Sequence, residues 1–337
     1  MRADCPPPLP APRGPLTARL FAAWARDDRG LRCPPPQDDP LIGEDFHLAL
    51  YACYELQYRG FAGVDERWER DVEVTRLTQQ LEDAFEQALR AEAGSLVVDP
   101  TRVEAALWAL ATAEGGRSLS AFVAEEASVN QVRELAVLRS PYQRKEADPH
   151  TWAIPRLSGR AKAAIVEIQM DEYGEGQPGA AHAELFADTM RALDLDPTYG
   201  AYLDAVPGHA LATVNLISML GRQRRLRGAL VGHLALFEMT SVGPMGRYAA
   251  GMRRLGLDAT RFYDIHVEAD AHHQVVAARY LAQGLADDEP HLAADILFGA
   301  QALTAAEGRF ARGVLESWDR GETSLRSAPA RSLALTG

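Results

Sequence analysis

Apolar side chains recur with helical spacing through most of this chain. The clearest stripe lies between residues 66 and 93, where apolar residues follow one another every four positions. Its members are Leu77, Leu81, Phe85 and Leu89. No segment shows the two-residue alternation of a half-buried strand, and β-branched residues are sparse. The pattern therefore predicts an all-α protein.

Breaks at Gly, Pro and Asp residues divide this pattern into separate helices. The predicted helices are Leu16–Trp24, Glu44–Phe61, Glu66–Ala93, Thr101–Glu114, Ser118–Leu138, Ser158–Tyr173, His182–Leu193, Pro207–Leu220, Arg222–Thr240, Val242–Leu255, Asp258–Gln283 and His291–Trp318. Asp258 follows Gly256 and is the expected N-cap of its helix.

The distribution of proline sets the first segment of the chain apart. Residues 1–40 hold ten of the twenty prolines, so they are expected to wrap the surface rather than form long helices. We divide the sequence into a Pro-rich leader (1–40), accessory helices (41–97), a main helical domain (98–320) and a polar tail (321–337).

Composition narrows the classes of partner. The chain of 337 residues carries a net charge of −12, which argues against nucleic acids and anionic membranes. No apolar run reaches the roughly 18 residues of a membrane span, and the N-terminus lacks the apolar core of a secretory signal. Three cysteines without a CxxC pair are typical of a reducing compartment. We therefore expect a cytoplasmic protein.

The run HVEADAHHQ, residues 266–274, carries the strongest chemical signal. It places His266, Asp270 and His273 at positions i, i+4 and i+7. On a helix these offsets fall within an arc of about 60°, so the three side chains leave one face. Two imidazoles and a carboxylate on one face outline a first-row metal site. The alternative is a polar face that happens to carry histidines.

Three further residues on apolar helices have the chemistry of metal ligands. Glu172 ends the segment AKAAIVEIQMDE, and His182 opens HAELFADTM. The segment GEGQPGAA between them predicts a broken helix. Glu238 lies in the apolar run ALVGHLALFEM, where an unpaired carboxylate would be costly.

Together these residues supply three carboxylates and three imidazoles. The predicted metal ligands are Glu172, His182, Glu238, His266, Asp270 and His273. Because carboxylates can bridge two ions and imidazole suits iron, the set favours two iron or manganese ions. A single zinc ion would have no use for six ligands, and heme needs only an axial ligand.

The order Glu172, His182, Glu238 and then HxxxDxxH resembles the heme-oxygenase-like diiron oxidases and oxygenases. The likeness covers roughly residues 98–320, and the phrases YELQYRGF and DEYGEG extend it to about residue 44. It implies a heme-oxygenase-like bundle of seven helices, with additional N-terminal helices and the Pro-rich leader. It also implies two iron ions held by the six residues, with O2 as co-substrate.

Three other readings of the same residues stay open. A ferritin-like diiron protein needs two Glu-xx-His motifs, and the sequence offers one, at Glu44 and His47. A true heme oxygenase would need one axial histidine and no acid cluster. A metal-free helical scaffold would hold these side chains as paired polar groups.

The resemblance implies an oxygenase of bacterial specialised metabolism. N-oxygenation of an amino acid or small amine, to a hydroxylamine or nitro product, is favoured because the extra N-terminal helices resemble that branch. The alternative is an oxidase that cleaves or desaturates an amino acid or fatty acid. The expected partners are a small-molecule substrate and an external electron donor, and a homodimer is left open. A zwitterionic substrate would need a cation, for which Arg247, Arg253 and Arg254 are candidates.

Overall fold

The computed structural model describes residues 5–113 and 115–326, and this part of the chain folds into helices with no strand. The α-helices are α1 (Pro15–Arg26), α2 (Glu44–Glu55), α3 (Val72–Ala93), α4 (Val103–Ala111), α5 (Leu119–Glu125), α6 (Val129–Gln143), α7 (Asp148–Thr151), α8 (Gly159–Glu172), α9 (His182–Ala192), α10 (Gly208–Arg222), α11 (Arg227–Arg254), α12 (Arg261–Val275), α13 (Gly284–Asp288) and α14 (Ala293–Asp319). The predicted all-α class is confirmed.

Shorter helical segments join these elements. A π-helical segment, Val276–Gln283, connects α12 to α13. The 3-10 segments are Glu66–Arg70, Pro100–Arg102, Ile154–Arg156, Gly174–Gly176, Leu203–Ala205, Arg224–Leu226 and Pro290–Leu292. Among the helices of the described ranges, none has the length and apolar character that crossing a membrane requires.

Helix α11 lies at the centre of the bundle and packs along α14, α12 and α5. Two glycines allow α11 and α14 to cross closely. A Cβ atom added at Gly232 would overlap the Ile296 carbonyl, and one added at Gly299 would overlap the Ala229 carbonyl. Because backbones meet directly at this crossing, α11 and α14 form a rigid frame for side chains on their other faces.

The N-terminal helices share the core of the rest of the protein. Ten of the twelve residues of α2 are buried, mainly against α10. Helix α1 packs on α2, and the Asp45 carboxylate accepts hydrogen bonds from the backbone N–H groups of Leu16 and Thr17. A buried ion pair of 2.9 Å between Lys145 Nζ and Glu55 Oε2 ties α2 to the turn after α6. The sequence division at residue 97 stays a prediction.

Most predicted helices have counterparts, but two were wrongly joined. The predicted helix Glu66–Ala93 is a 3-10 segment, Glu66–Arg70, followed by α3, which begins at Val72 after the extended Asp71. The predicted helix Ser118–Leu138 is two helices, α5 and α6, which meet at Ser128. The Ser128 hydroxyl accepts from the Gln131 N–H, and the Gln131 side chain accepts from the Ser128 N–H. This capping box begins a new helix within a segment whose apolar spacing alone looks continuous. Helix α6 also runs five residues past the predicted end, to Gln143.

Two helix boundaries were also wrong. The predicted break between Thr240 and Val242 is absent, because α11 continues through Pro244. Proline removes one backbone donor there, but the surrounding helices hold the chain in place. Asp258 is not an N-cap, since α12 begins at Arg261 after Thr260. The last predicted residue of the helix Thr101–Glu114, the first four residues of the leader and the tail beyond residue 326 lie outside the described residues.

Candidate metal centre

Five elements bring seven buried side chains to one place in the bundle. The residues come from the turn after α6, the end of α8, the start of α9, the middle of α11 and one face of α12. They are Glu146, Glu172, His182, Glu238, His266, Asp270 and His273, none more than 7 % exposed. Six were predicted as ligands, and Glu146 was not.

Local conformation explains how Glu172 and His182 come together. Helix α8 ends at Glu172, and the following loop contains Gly174, Glu175 and Gly176 with positive φ angles. This left-handed backbone reverses the chain without continuing the helix. The Glu172 Oε2 atom consequently lies 2.9 Å from His182 Nδ1. The predicted broken helix is confirmed.

The side chains form two clusters that share one carboxylate. Ligand atoms of Glu146, Glu172, His182 and His266 all lie within 4.8 Å of one another. Those of Glu172, Glu238 and His273 do the same. Asp270 adjoins the second cluster, with its Oδ1 3.6 Å from His273 Nδ1. Because Glu172 belongs to both clusters, it is placed where a bridging carboxylate would be needed.

Several buried atoms in these clusters have no hydrogen-bond partner. These atoms are Glu146 Oε2, Asp270 Oδ1 and His273 Nδ1, and they lie beside the ion pair of Glu172 Oε2 with His182 Nδ1. Leaving a buried polar atom unpaired costs about 1–3 kcal/mol, and more for a charged group. Three such atoms beside that ion pair are hard to explain as a polar core, and they fit a set of metal donors.

Hydrogen bonds orient two of the imidazoles toward the clusters. His266 Nδ1 donates to the Phe262 carbonyl at 2.8 Å, which leaves Nε2 toward Glu146. His273 Nε2 donates to the Asp171 carboxylate at 2.7 Å, which leaves Nδ1 toward Glu238 and Asp270. A carboxylate behind a histidine is the usual support of a metal-binding imidazole. The Asp171 side chain is partly exposed to solvent, and its carboxylate also holds His273.

We expect Asp171→Asn to weaken iron binding about 10–100-fold, as is typical when the support of a ligating histidine is lost. The helical circular dichroism signal should be unchanged, because the Asp171 side chain is 41 % exposed and contributes little to the core. Titration of iron-free protein with Fe(II) under nitrogen, in competition with a chelator, measures the affinity.

A matched control for this variant lies on α12 itself. Asp264→Asn removes a carboxylate that pairs with Arg253 at the surface, away from both clusters. Equal iron affinity in the Asp171 variant and the Asp264 variant would show that the Asp171–His273 bond does not support a ligand.

Charge crowding shifts the titration of the clustered groups. Burial raises the pKa of Glu238 to about 8, and nearby Asp270 adds to the rise. Burial alone would lower the pKa of His266, but the Glu146 carboxylate overcomes this and raises it to about 10. Burial would likewise lower the pKa of His273, whereas the nearby Asp270 and Glu238 carboxylates raise it to about 11. Without metal ions, protons must therefore neutralise part of the buried negative charge.

The space beside the clusters is small, and uncharged side chains form the part of its wall that the clustered residues do not. A cavity of about 10 Å³, roughly the size of one water molecule, is lined by Tyr142, His150, Leu234 and Phe237 together with the clustered acids. Burial lowers the pKa of His150 to about 4, so its imidazole is neutral. This small cavity has no room for a porphyrin.

Glu146 was missed because its sequence context looks like a solvated turn. It follows Arg144 and Lys145, and a run of three charged residues usually faces water. All three are nevertheless buried, at 5 %, 1 % and 5 % exposed. The useful signal was the position of this run, at the end of an apolar helix and 26 residues before Glu172.

The Glu44-xx-His47 pair of the ferritin-like reading lies elsewhere. Glu44 pairs with Arg13, and His47 contacts Asn215. Neither residue belongs to a cluster of metal-ligating side chains in the described part of the chain. Two other polar residues of α8 and α12 lie at the surface, where His272 pairs with Glu167 at 2.9 Å.

A helical bundle with a buried carboxylate–histidine centre is the architecture of an iron-binding redox protein. A family model matches residues 133–308 of the sequence. The family is heme-oxygenase-like and is described as iron-containing redox enzyme. This range includes all seven clustered residues, and the chain belongs to that family. The fold is thus the expected heme-oxygenase-like bundle, and the family is one of oxidoreductases. A comparison with curated proteins gives no match.

Proposed function

We propose that this protein is a non-heme diiron oxygenase that uses O2 to oxidise a nitrogen atom of an amino acid or small amine. The observation that carries the proposal is the pair of buried clusters joined by Glu172. A single metal ion would leave the negative charge of one cluster uncompensated, whereas two ions would compensate the charge of both.

The charges of the ligand set support two ferrous ions. Glu146, Glu172, Glu238 and Asp270 carry four negative charges when ionised, all in a buried site. Two Fe²⁺ ions carry four positive charges, so the filled centre would be neutral. Burying uncompensated charge is very costly, and this balance removes that cost.

The clusters suggest which residues hold each ion. Glu146, His182 and His266 would bind the first, while Glu238, Asp270 and His273 would bind the second. Glu172 would bridge the two ions, since its carboxylate lies in both groups. Three side chains and the shared Glu172 carboxylate would hold each ion, and the ions would supply the capacity to bind O2.

Bound ferrous iron supplies the binding and reduction of O2. Formation of a hydroxylamine follows the balance R–NH2 + O2 + 2 e⁻ + 2 H⁺ → R–NHOH + H2O, so an external donor must provide two electrons. The chain contributes the surroundings of this chemistry. Tyr142, Leu234 and Phe237 limit the entry of water, and the Phe262 carbonyl and Asp171 hold the imidazoles in position.

Oxidation of carbon, by cleavage or desaturation, is the alternative outcome at the same centre. The choice depends on which substrate atom lies nearest the metals. We favour nitrogen because a larger cavity, of about 360 Å³, shares Tyr142 and Phe237 with the small one and also holds the Arg139–Glu307 ion pair. Gln143 lines it as well, and its Oε1 has no hydrogen-bond partner. These groups suit a polar, nitrogen-containing substrate.

Isotope labelling tests this proposal directly. Fe(II)-loaded protein is given a chemical reductant, ¹⁸O2 and a panel of amino acids, amines and fatty acids. We expect mass spectrometry to find ¹⁸O in a hydroxylamine, oxime or nitro product. The Glu238→Gln variant should form none, because it lacks a ligand of the second ion.

An alkene or released CO2, with the substrate nitrogen left unoxidised, would show that the reaction is carbon oxidation rather than N-oxygenation. The proposal of an iron centre would still stand. Iron binding that saturates at or below one ion per chain would instead remove the diiron centre itself.

A further inference from the structure

The phrase YELQYRGF, residues 54–61, supplies none of the clustered residues, yet it contains a completely buried carboxylate. Glu55 is the last residue of α2 and is 0 % exposed. Its Oε2 atom accepts two hydrogen bonds, from Lys145 Nζ at 2.9 Å and from the Tyr199 hydroxyl at 2.8 Å. A charge-assisted bond of this kind is among the stronger hydrogen bonds in proteins. The end of α2 therefore presents a fixed negative charge to the turn after α6.

Lys145 lies inside a cage of side chains. Its ammonium group is 4.4 Å from the ring centroid of Tyr51 and 4.4 Å from that of Tyr58, in addition to its bond with Glu55. Tyr51 lies in α2, and Tyr58 follows shortly after it. The face of an aromatic ring attracts a cation, and the attraction is larger where water is excluded. Since Lys145 is only 1 % exposed, α2 and the residues that follow it hold this side chain in place.

The turn that carries Lys145 is strained at Ala147. The φ angle of Ala147 is 75°, a positive value that a residue with a Cβ atom rarely adopts. Such a conformation persists only where the surrounding structure holds it. The Ala147 carbonyl accepts a hydrogen bond of 2.9 Å from Gln169 Nε2 on α8. Helix α2 thus holds the residue before Glu146, and α8 holds the residue after it.

Glu146 depends on this turn more than the other clustered residues depend on their surroundings. Among the seven clustered residues it alone lies outside a helix, between α6 and α7. Its Oε1 atom is 3.7 Å from His266 Nε2, and its Oε2 atom has no hydrogen-bond partner. The position of its carboxylate in the first cluster is consequently set by the backbone of the turn.

We infer that Glu55 is a positioning residue of the metal centre. It holds Lys145, and Lys145 fixes the turn that places Glu146 at the first ion, the one assigned to Glu146, His182 and His266. The inference rests on the proposed function and adds a residue that touches neither metal nor substrate. It also gives α2, which supplies no ligand, a part in building the metal centre.

Glu55→Gln tests this role. The amide keeps the size of the side chain but removes the charge that holds Lys145, so the turn and Glu146 are free to move. We expect the affinity for the first ion to fall about 10–100-fold, as is usual when the support of a ligand is lost, and that for the second ion to change less than about threefold. Competition with a chelator for Fe(II) under nitrogen measures both affinities. His182→Ala and His273→Ala, which each remove a ligand of one ion, assign the two binding steps.

A double-mutant cycle shows whether Glu55 acts through Glu146. Glu146→Gln alone should weaken binding of the first ion at least as much as Glu55→Gln does. If the effect of Glu55 passes through Glu146, adding Glu55→Gln to that variant costs no further affinity. Two effects that multiply in the double variant, as independent losses would, would overturn the inference.

Glu82→Gln is the matched control. Glu82 is another buried carboxylate that accepts a tyrosine hydroxyl, from Tyr54 of the same phrase, but its cationic partner is Arg222 rather than Lys145. We expect this variant to lower the unfolding temperature, as Glu55→Gln also should, because both lose a buried ion pair. It should leave both iron affinities unchanged. A drop in the affinity for the first ion equal to that of Glu55→Gln would mean that any loss of stability has this effect, and would overturn the inference.

Hydrogen exchange on the iron-free protein measures the turn itself. The backbone N–H of Lys145 donates to the Tyr142 carbonyl, and that of Asp148 donates to the Lys145 carbonyl. We expect Glu55→Gln to speed the exchange of these two amides about tenfold or more and Glu82→Gln to leave it unchanged. Equal exchange in the two variants would contradict the role of Glu55 in holding the turn.

Tyr199→Phe covers the case in which the Glu55 variant fails to fold. It removes one hydrogen bond to Glu55 and keeps both charges of the ion pair, so the fold should be retained. We expect the affinity for the first ion to fall roughly fivefold and that for the second to stay constant. If the Glu55 variant does not fold and Tyr199→Phe binds the first ion as tightly as the unmodified protein, the inference is wrong.

The outcomes separate this inference from the proposed function. Equal affinity for the first ion in the unmodified and Glu55→Gln proteins, with two irons bound, would overturn the positioning role and leave the diiron centre in place. Equal weakening of both ions would mean that the pair only stabilises the fold, which also overturns it. Faster exchange in the turn of the Glu55→Gln variant, in a protein that takes up no iron, would keep the positioning of Glu146 and remove the proposed function.

Discussion

Replacing Glu172 with Gln should lower the iron content by at least one ion per chain and reduce turnover by roughly 10³-fold or more. The Glu172 carboxylate is the one group that lies in both clusters, so its loss affects both metal positions. A neutral amide is a poor bridge and leaves the centre with one uncompensated positive charge. Elemental analysis after anaerobic loading measures the iron, and O2 consumption with reductant measures turnover.

Glu167→Gln is the control for this variant. It changes the same residue type on the same helix, but the Glu167 side chain is 54 % exposed and pairs with the exposed His272. We expect its iron content and turnover to match the unmodified protein. Full iron content in the Glu172 variant would mean that the two clusters are independent, and the bridging role would be wrong.

The α12 part of the site was predictable because it is local. His266, Asp270 and His273 lie on one helical face, and helical periodicity alone puts them together. The structure confirms that these side chains converge. Their role as ligands stays a prediction, as it does for Glu172, His182 and Glu238.

Glu146 was not predictable in the same way, because its burial depends on distant residues. Neighbouring Lys145 is buried by an ion pair with Glu55, 90 residues away in sequence. That pair requires α2 to lie against the turn after α6, which no local pattern encodes. A charged run that a sequence places in water can therefore be held inside the protein by one partner on another helix.

The predicted helix boundaries were wrong where packing overrides the local conformational preference of the residues. Gly243 and Pro244 favour a break, yet α11 runs through them while it packs on α12, α14 and α5. The π-helical segment Val276–Gln283 was not predicted either, because the spacing of apolar residues there fits an ordinary α-helix. Such segments often occur near functional sites, and this one begins three residues after His273.

The larger cavity could not be read from the sequence either. Arg139 and Glu307 are 168 residues apart and meet only because α6 and α14 both line the same space. Near the Glu238 helix segment the sequence offers Arg247, Arg253 and Arg254 as candidate cations for a substrate carboxylate. These three arginines do not line the cavity, whose wall is built from six helices.

Iron binding should become much stronger as the pH rises from about 6 to about 8. In the iron-free protein the pKa of His266 is raised to about 10 and that of His273 to about 11, so both imidazoles are protonated in this range. The pKa of Glu238 is raised to about 8, so it also holds a proton below that pH. Iron binds only the deprotonated forms, and each displaced proton adds a factor of ten per pH unit. We therefore expect the overall affinity for filling both sites to rise roughly 10²–10³-fold per pH unit.

Two measurements check this dependence independently. Fe(II) competition with a chelator at several pH values gives the slope, and calorimetry in two buffers of different ionisation enthalpy counts the released protons. The sign follows from the raised pKa values: a group that keeps its proton to higher pH competes with the metal over a wider range. Below about pH 8 we expect two to three protons per filled centre, falling toward two above it, because Glu238 no longer contributes. If the affinity does not change with pH and no protons are released, then His266 and His273 keep their protons and do not bind the iron.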